Sequence, residues 1–167
     1  ANVPGTIYFG DGPAYEYHNA PEKTESVRDP QGRGWTTLGD VGYVDDDGWL
    51  YLTDRQAFMI ISGGVNIYPQ EIEDCLVMHP KVADVAVFGV PDDEMGEAVH
   101  AAVQPAEGID GDEALAGELR SYVREHIAHF KCPQRFEFHD ELPRLPTGKL
   151  YKNKLRSPHW DGREREI

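Results

Sequence analysis

The sequence predicts an α+β protein, in which a β-rich N-terminal piece precedes a small domain made of a β-hairpin and a small sheet flanked by helices. Alternating apolar residues around an Asp-Gly turn indicate strands before residue 55. After residue 55, two segments of helical periodicity alternate with β-branched segments in the order β-β-α-β-β-α-β. The chain has 167 residues, 40% of them hydrophobic, which is enough for one domain and part of another.

The N-terminal piece, residues 1–54, is predicted to consist of strands joined by turns. Its clearest feature is a hairpin that turns at Asp45–Gly48. The segment 11–33 is polar and contains prolines and glycines, so we expect it to run over the surface. Strands are predicted, in chain order, at Thr6–Phe9, Trp35–Leu38, Val41–Val44 and Trp49–Thr53.

The second part, residues 55–167, is predicted to begin with a hairpin whose turn is Gly63-Gly64. The strands of this part are expected at Phe58–Ser62, Val65–Tyr68, Val82–Val90, Glu97–Val103 and Arg135–His139.

Two helices and a terminal helical turn, Tyr151–Arg156, complete this part. Pro69 suits the first turn of the first helix, and Glu71 and Glu73 are expected to complement the positive end of its dipole. Its apolar stripe consists of Ile72, Cys75, Leu76 and His79, and Pro80 ends it.

The second helix is predicted from a capping box in which Asp110 precedes Glu113 by three residues. Its core-facing stripe consists of Leu115, Leu119, Tyr122, Val123 and Ile127.

The charge and the apolar runs exclude two classes of function. A formal net charge of −14 argues against nucleic-acid binding, because phosphate recognition needs a cationic surface. No apolar run approaches the roughly 20 residues of a membrane span. The basic C-terminal stretch could face an anionic ligand, but charge alone favours a solvated terminus; its cations are Lys149, Lys152, Lys154 and Arg156.

The cysteines and histidines do not predict a metal site. Cys75 and Cys132 have neither metal-ligand spacing nor a disulfide framework, and Cys75 is expected to be a buried free thiol in a reducing, cytoplasmic setting. The histidines are scattered, and we interpret His79, His100, His126, His129 and His139 as structural or surface residues.

Four short motifs in a fixed order point to a function. They are Leu38-Gly39-Asp40, Asp54-Arg55, the segment Ser62-Gly63-Gly64-Val65-Asn66-Ile67-Tyr68-Pro69 and the turn Pro146-Thr147-Gly148-Lys149. Taken singly, each is an ordinary turn or a surface ion pair. Their order and spacing together resemble the C-terminal part of the acyl-CoA synthetases of the adenylate-forming (AMP-binding) superfamily.

The resemblance implies a role for each motif. Lys149 would be the catalytic lysine of carboxylate activation. Asp40 and Arg55 would bind the ribose side of ATP or AMP, although Leu38 stands where the family usually has threonine. Ala57 occupies the hinge position. The turn Ser62-Gly63-Gly64 would line the channel for the pantetheine arm of CoA.

The resemblance also implies the activity of a whole enzyme. Such an enzyme activates a carboxylic acid, with a fatty acid favoured, as an acyl-adenylate using ATP and Mg²⁺, and then transfers the acyl group to CoA. Residues 1–54 would end the β-barrel of a large N-terminal domain, and residues 55–167 would form the mobile C-terminal domain. This missing N-terminal domain would be the main partner, and homo-oligomer formation stays open.

The chain alone is expected to be inactive and to hold no cofactor tightly, because the phosphate loop and the acyl pocket belong to that N-terminal domain. Two alternatives remain: an adenylation domain that loads a carrier protein, and a non-catalytic interaction module on the same fold.

Overall fold

The computed structural model of the chain describes residues 2–12 and 15–163, which divide into two units between Ala57 and Phe58. The division falls a few residues after residue 54, where the sequence places the boundary. No helix in the described ranges is long and apolar enough to cross a membrane.

The first unit contains an antiparallel sheet of β1 (Gly5–Thr6), β2 (Asp40–Val44) and β3 (Leu50–Arg55). The predicted β2–β3 hairpin is confirmed, with Val44 opposite Leu50. In its turn, Oδ1 of Asp45 accepts hydrogen bonds from the backbone N–H groups of Asp47 and Trp49, at 3.0 and 2.8 Å. These local bonds explain why the hairpin is visible in the sequence.

Two strand predictions in this unit need correction. The segment Trp35–Leu38 forms no strand, because only Thr36 makes isolated bridges, to Phe9 and Arg28. The first strand covers Gly5–Thr6 and does not reach Phe9. The polar segment 11–33 contains a short helix, α1 (Pro21–Ser26), which the sequence did not predict.

A buried carboxylate organises the loop after α1. The side chain of Asp29 is 1% exposed and accepts two hydrogen bonds from the Arg33 guanidinium, at 2.8 and 3.0 Å. The backbone N–H groups of Gln31 and Arg33 also donate to it. The hydrogen bonds from the Arg33 side chain are the main reason that the pKa of Asp29 lies well below its usual range.

The second unit contains a five-stranded sheet in which β5, β4, β7 and β6 are neighbours in that order and β8 pairs in parallel with β7. Its elements are β4 (Ile60–Ser62), β5 (Val65–Ile67), α2 (Pro69–Val77), β6 (Val82–Asp92), β7 (Gly96–Pro105), α3 (Glu113–His126), β8 (Arg135–Phe138) and α4 (Lys152–Arg156). The α+β class and the predicted element order are therefore confirmed.

The long β6–β7 hairpin is buried on both faces. On one face, side chains such as Val87 and Ala101 pack against the apolar stripes of α2 and α3. On the other face, side chains such as Phe88 and Ala102 pack under Leu142, Leu150 and Leu155 of the C-terminal segment. Strands covered on both faces have continuous apolar runs, which explains the sequence of β6.

The sequence predicted Asp110 as the N-cap of α3, but the N-cap is Asp112. Oδ1 of Asp112 accepts a hydrogen bond from Leu115 N–H at 2.9 Å, and the helix begins at Glu113. Gly111 fixes this start, because a Cβ at that position would lie 2.5 Å from Cβ of Phe138. The chain therefore passes beneath the Phe138 ring before it can turn into the helix.

Both cysteines are free thiols, as predicted. Cys132 is buried, whereas Cys75 is only partly buried, contrary to the expectation. Burial raises the pKa of both thiols.

Candidate functional site

Lys149 lies on a tight turn that begins at Leu145. Leu145 N–H donates to the carbonyl of Lys149 and Gly148 N–H to the carbonyl of Leu145, both at 2.8 Å. Gly148 has a φ of +83°, which a residue with a side chain adopts only with strain. The Lys149 side chain is exposed, and within residues 2–12 and 15–163 its ammonium has no hydrogen bond or ion pair.

Arg144 fixes this turn to the sheet. Its Nη1 donates to the carbonyl of Gly148 at 2.7 Å, and its Nη2 pairs with the carboxylate of Asp84 on β6. On the far side of the turn, Tyr151 N–H donates to the carbonyl of Pro143 at 2.8 Å. The lysine is thus carried by a turn with a defined backbone, although its own side chain is free to move.

A buried ion pair anchors the segment that follows Lys149. Nζ of Lys152 lies 2.7 Å from Oε1 of Glu73, and the two side chains are 11% and 10% exposed. The same oxygen of Glu73 accepts a hydrogen bond from Val87 N–H at 2.6 Å. Glu73 therefore links α2 to β6 and α4. The expectation that it complements the positive end of the helix dipole was wrong.

Glu71 behaves as its sequence position predicts. It lies in the first turn of α2, where a carboxylate interacts favourably with the helix dipole. It also forms a more exposed ion pair with Lys131, at 2.6 Å.

The turn Ser62-Gly63-Gly64 is the tip of the β4–β5 hairpin, as predicted. Gly63 and Gly64 have φ values of +56° and +77°, the combination that a type I′ hairpin turn requires. Gly63 N–H donates to the carbonyl of Met95 at 2.8 Å, so the tip is braced by the β6–β7 turn. Both glycines are exposed, and a thin ligand could approach their backbone closely.

Glu97 supports the base of this hairpin from the core. It is 5% exposed, and its Oε2 accepts a hydrogen bond from Ile61 N–H at 3.2 Å. Space for it depends on Gly89, since a Cβ there would lie 2.2 Å from that oxygen. Sequence reasoning missed this residue, although a carboxylate inside an apolar strand is a signal that could have revealed it.

Asp40 and Arg55 are brought together in the first unit. They are opposite each other in the β2–β3 register, and Nε of Arg55 lies 3.2 Å from Oδ1 of Asp40. Arg55 is 54% exposed and Asp40 23%, so both can still reach a ligand. Gly39 has a φ of +80° and its N–H donates to Oγ1 of Thr37, which fixes the backbone before Asp40.

The expected hinge position lies at the division between the two units. Ala57 is exposed and belongs to a short 3₁₀ turn, Gln56–Phe58, and the first unit ends at this residue.

The interpretation of the histidines as scattered residues needs correction. His100, His139 and His159 surround Glu137, and nitrogens of these rings lie 3.1–3.5 Å from its carboxylate oxygens. Burial, followed by the charge of His159, lowers the pKa of His100 to about 4. His79 is structural, as expected, since it is buried and contacts the Tyr122 ring edge-to-face.

The C-terminal domain of the AMP-binding enzymes matches residues 71–149, a range that ends at Lys149. A fatty acid–[acyl-carrier-protein] ligase, ScoC of Streptomyces coeruleorubidus, is 40% identical over 91% of this chain and 28% of its own length. A long-chain-fatty-acid–CoA ligase, FadD13 of Mycobacterium tuberculosis, is 42% identical over 86% of this chain and 27% of its own length.

Solved structures agree with these matches. The ATP-bound RpMatB-BxBclM chimera B1 superimposes with a TM-score of 0.82 and 35% identity, covering 98% of this chain and 32% of its own. The chain thus spans between a quarter and a third of the length of these relatives. It belongs to the adenylate-forming, AMP-binding enzyme family and contains the C-terminal domain of that family.

Proposed function

We propose that this chain is the C-terminal part of an AMP-forming acid–thiol ligase in the cytoplasm, and that Lys149 is its adenylation lysine. The observation that carries the proposal is the exposed, unpaired ammonium of Lys149 on a turn fixed by Arg144 and Gly148, within the part of the chain that the structure describes. The resemblance of Pro146-Thr147-Gly148-Lys149 to the family's catalytic turn supports it.

Lys149 would act on charge that develops during activation. When a carboxylate oxygen attacks the α-phosphorus of ATP and pyrophosphate leaves, negative charge builds on the phosphate oxygens. An ammonium placed beside them stabilises that state more than the ground state, which is the requirement for catalysis. Mg²⁺ would come with ATP and neutralise the remaining phosphate charge.

Asp40 and Arg55 would bind the ribose. A carboxylate accepts two hydrogen bonds at once, so Asp40 suits a pair of ribose hydroxyls. The ion pair with Arg55 orients the Asp40 carboxylate before the nucleotide arrives, and the exposed guanidinium retains donors for the ligand.

The glycine tip, which is the turn Ser62-Gly63-Gly64 of the β4–β5 hairpin, would line the path of CoA in the second half-reaction. The pantetheine arm of CoA is thin, and the absence of Cβ atoms at Gly63 and Gly64 lets it pass against backbone. The acyl group would then transfer from the adenylate to the thiol.

The two half-reactions give separate tests in the complete ligase. Lys149→Ala should reduce carboxylate-dependent pyrophosphate exchange by about 100-fold or more, the scale for a preorganised charge in a transition state. Thioester formation from a supplied acyl-adenylate should stay within a few-fold of the parent. The control is Lys154→Ala, an exposed lysine on α4. Unchanged exchange in the Lys149 variant would remove this lysine from the mechanism.

The acyl acceptor separates two versions of the proposal. The likeness to FadD13 favours CoA, and the likeness to ScoC favours a carrier protein. Supplying the complete ligase with CoA and with a phosphopantetheinylated carrier protein in parallel decides between them. A panel of carboxylic acids, including fatty acids, identifies the acid.

The 167-residue chain alone should give no pyrophosphate exchange with any acid of that panel. Measurable exchange would contradict the proposal that the phosphate and acyl sites lie on another domain. A complete protein without exchange would favour an interaction module instead.

A further inference from the structure

Three polar side chains meet on the sheet face that the C-terminal segment covers. His100 lies in β7, Glu137 in β8 and His159 in the 3₁₀ turn Ser157–Trp160. His100 is 5% exposed, and its ring stacks on Phe88 at 5.1 Å and contacts the His159 ring at 4.7 Å. None of these three residues has a role in the function proposed above.

The distances match a tetrahedral metal site. Nε2 of His100 and Nε2 of His159 lie 3.3 and 3.5 Å from Oε2 of Glu137, and the three ligand atoms are all within 4.8 Å of one another. Metal–ligand bonds of about 2.0–2.2 Å place neighbouring ligands of a tetrahedron roughly 3.3–3.6 Å apart. The distances from Oε2 of Glu137 to the two Nε2 atoms therefore already equal the edge length of such a tetrahedron.

From this geometry we propose that His100, Glu137 and His159 bind a divalent transition metal ion, with Zn²⁺ as the best fit. Two imidazoles and one carboxylate are a common Zn²⁺ ligand set, which leaves a fourth position for water. Hard cations such as Mg²⁺ prefer oxygen ligands and would bind this set poorly.

The charge of the site also suits a metal, because the Glu137 carboxylate supplies a negative charge that compensates part of the charge of the ion.

The cluster is also incompletely hydrogen-bonded by the protein. Nε2 of His139 lies 3.1 Å from Oε1 of Glu137, but the angles are not those of a hydrogen bond. That nitrogen and Nδ1 of His100 are buried without a hydrogen-bond partner among the described residues. Such atoms are rare in proteins and are a reason to look for a bound water beside the cluster. With His139 next to Oε1, the carboxylate would be held with Oε2 toward the metal.

The metal would link the segment after α4 to the sheet. His159 belongs to the segment that follows α4, and its neighbour Trp160 donates an Nε1–H hydrogen bond to the carbonyl of Gly89 at 3.0 Å. A bond from the metal to His159 would add a second, stronger link between this segment and the strands.

The test uses the tag-free 167-residue chain after chelation and dialysis, titrated with Zn²⁺ by calorimetry. We expect one Zn²⁺ per chain, with binding weakened about 100-fold or more in His159→Ala and in Glu137→Gln. His159 is preferred to His100 as the target because its side chain is 30% exposed and its removal leaves the core intact. The matched controls are His129→Ala, an exposed histidine outside the cluster, and Cys75→Ser, which removes a thiol; neither should change binding.

Two further measurements distinguish coordination by these three side chains from nonspecific binding of the metal at the surface. Co²⁺ should give the visible absorption of a four-coordinate site in the parent chain and lose it in His159→Ala. Zn²⁺ should also slow hydrogen exchange of the 152–160 amides. The proposal is overturned if the parent chain binds no Zn²⁺, or if both the His159 and Glu137 variants bind it as the parent does.

Discussion

Removal of the Lys152 ammonium should destabilise the second unit more than any other single change at a charged residue on α4. Lys152→Ala leaves the Glu73 carboxylate in a site where it is only 10% exposed, without the cation 2.7 Å away. Breaking a buried pair by deleting one partner typically costs about 3–5 kcal/mol. The hydrogen bond from Val87 N–H remains and solvates part of the charge, so we expect about 3 kcal/mol.

The assay is urea unfolding of the 167-residue chain followed by circular dichroism, with the transition of the second unit fitted separately because the chain has two units. Lys154→Ala on the same helix is the control, and as an exposed residue it should change the unfolding free energy by less than about 0.5 kcal/mol. The double variant Glu73→Gln/Lys152→Met removes both charges and keeps an acceptor for Val87 N–H, so it should recover much of the loss.

A Lys152→Ala effect below about 1 kcal/mol, or no recovery in the double variant, would refute the reasoning. The first result would mean that water reaches the Glu73 carboxylate. The second would mean that the loss comes from packing of the lysine stem and not from its charge.

Three further predictions concern other parts of the chain. Gly117→Ala in α3 should raise the unfolding free energy by about 0.5–1 kcal/mol, because a Cβ there meets no atom within 4 Å and alanine favours a helix; urea unfolding measures it. The Asp29 carboxyl has a lowered pKa in the folded state, so its stabilisation is present above the unfolded pKa of about 3.9 and is lost as pH falls through the folded value. Acid unfolding of the first unit should therefore shift to higher pH in Asp29→Asn, and an unchanged acid midpoint would exclude this pair as a contributor. Arg144→Ala should slow pyrophosphate exchange of the complete ligase by roughly 10-fold, because the Lys149 turn loses its links to Gly148 and Asp84, while thioester formation from a supplied acyl-adenylate should be spared.

Features set by neighbouring residues could be predicted from the sequence. The Asp45–Gly48 turn is held by bonds of Asp45 to the next few N–H groups, and the Gly63-Gly64 turn needs only two positive φ values. The order of strands and helices in the second unit follows from apolar periodicity in the same way.

Features set by distant residues could not be predicted. Asp110 and Asp112 are both plausible caps, and the Phe138 ring over Gly111 decides between them. The stretch around Thr36 has strand-like residues but no continuous partner for its backbone.

The same reason explains what was missed in the sites. Glu73 acts on Lys152, far along the chain, and His100 meets Glu137 only because β8 pairs in parallel with β7. The pairing of Asp40 with Arg55 was not predicted either, although a hairpin register brings them together. The roles of Lys149, Asp40, Arg55 and the glycine tip stay predictions.

The burial of the β6–β7 hairpin on both faces has a mechanical consequence. On one side of β6, Glu73 of α2 accepts a hydrogen bond from the strand. On the other side, the segment that carries Lys149 packs against the hairpin through Leu142, Leu150 and Leu155. The glycine tip is fastened to the turn that joins the same two strands. The turn that carries Lys149 and the glycine tip are thus both attached to the β6–β7 hairpin. Neither can move alone without disrupting the packing of a core, so a motion that brings one of them to a ligand also moves the other.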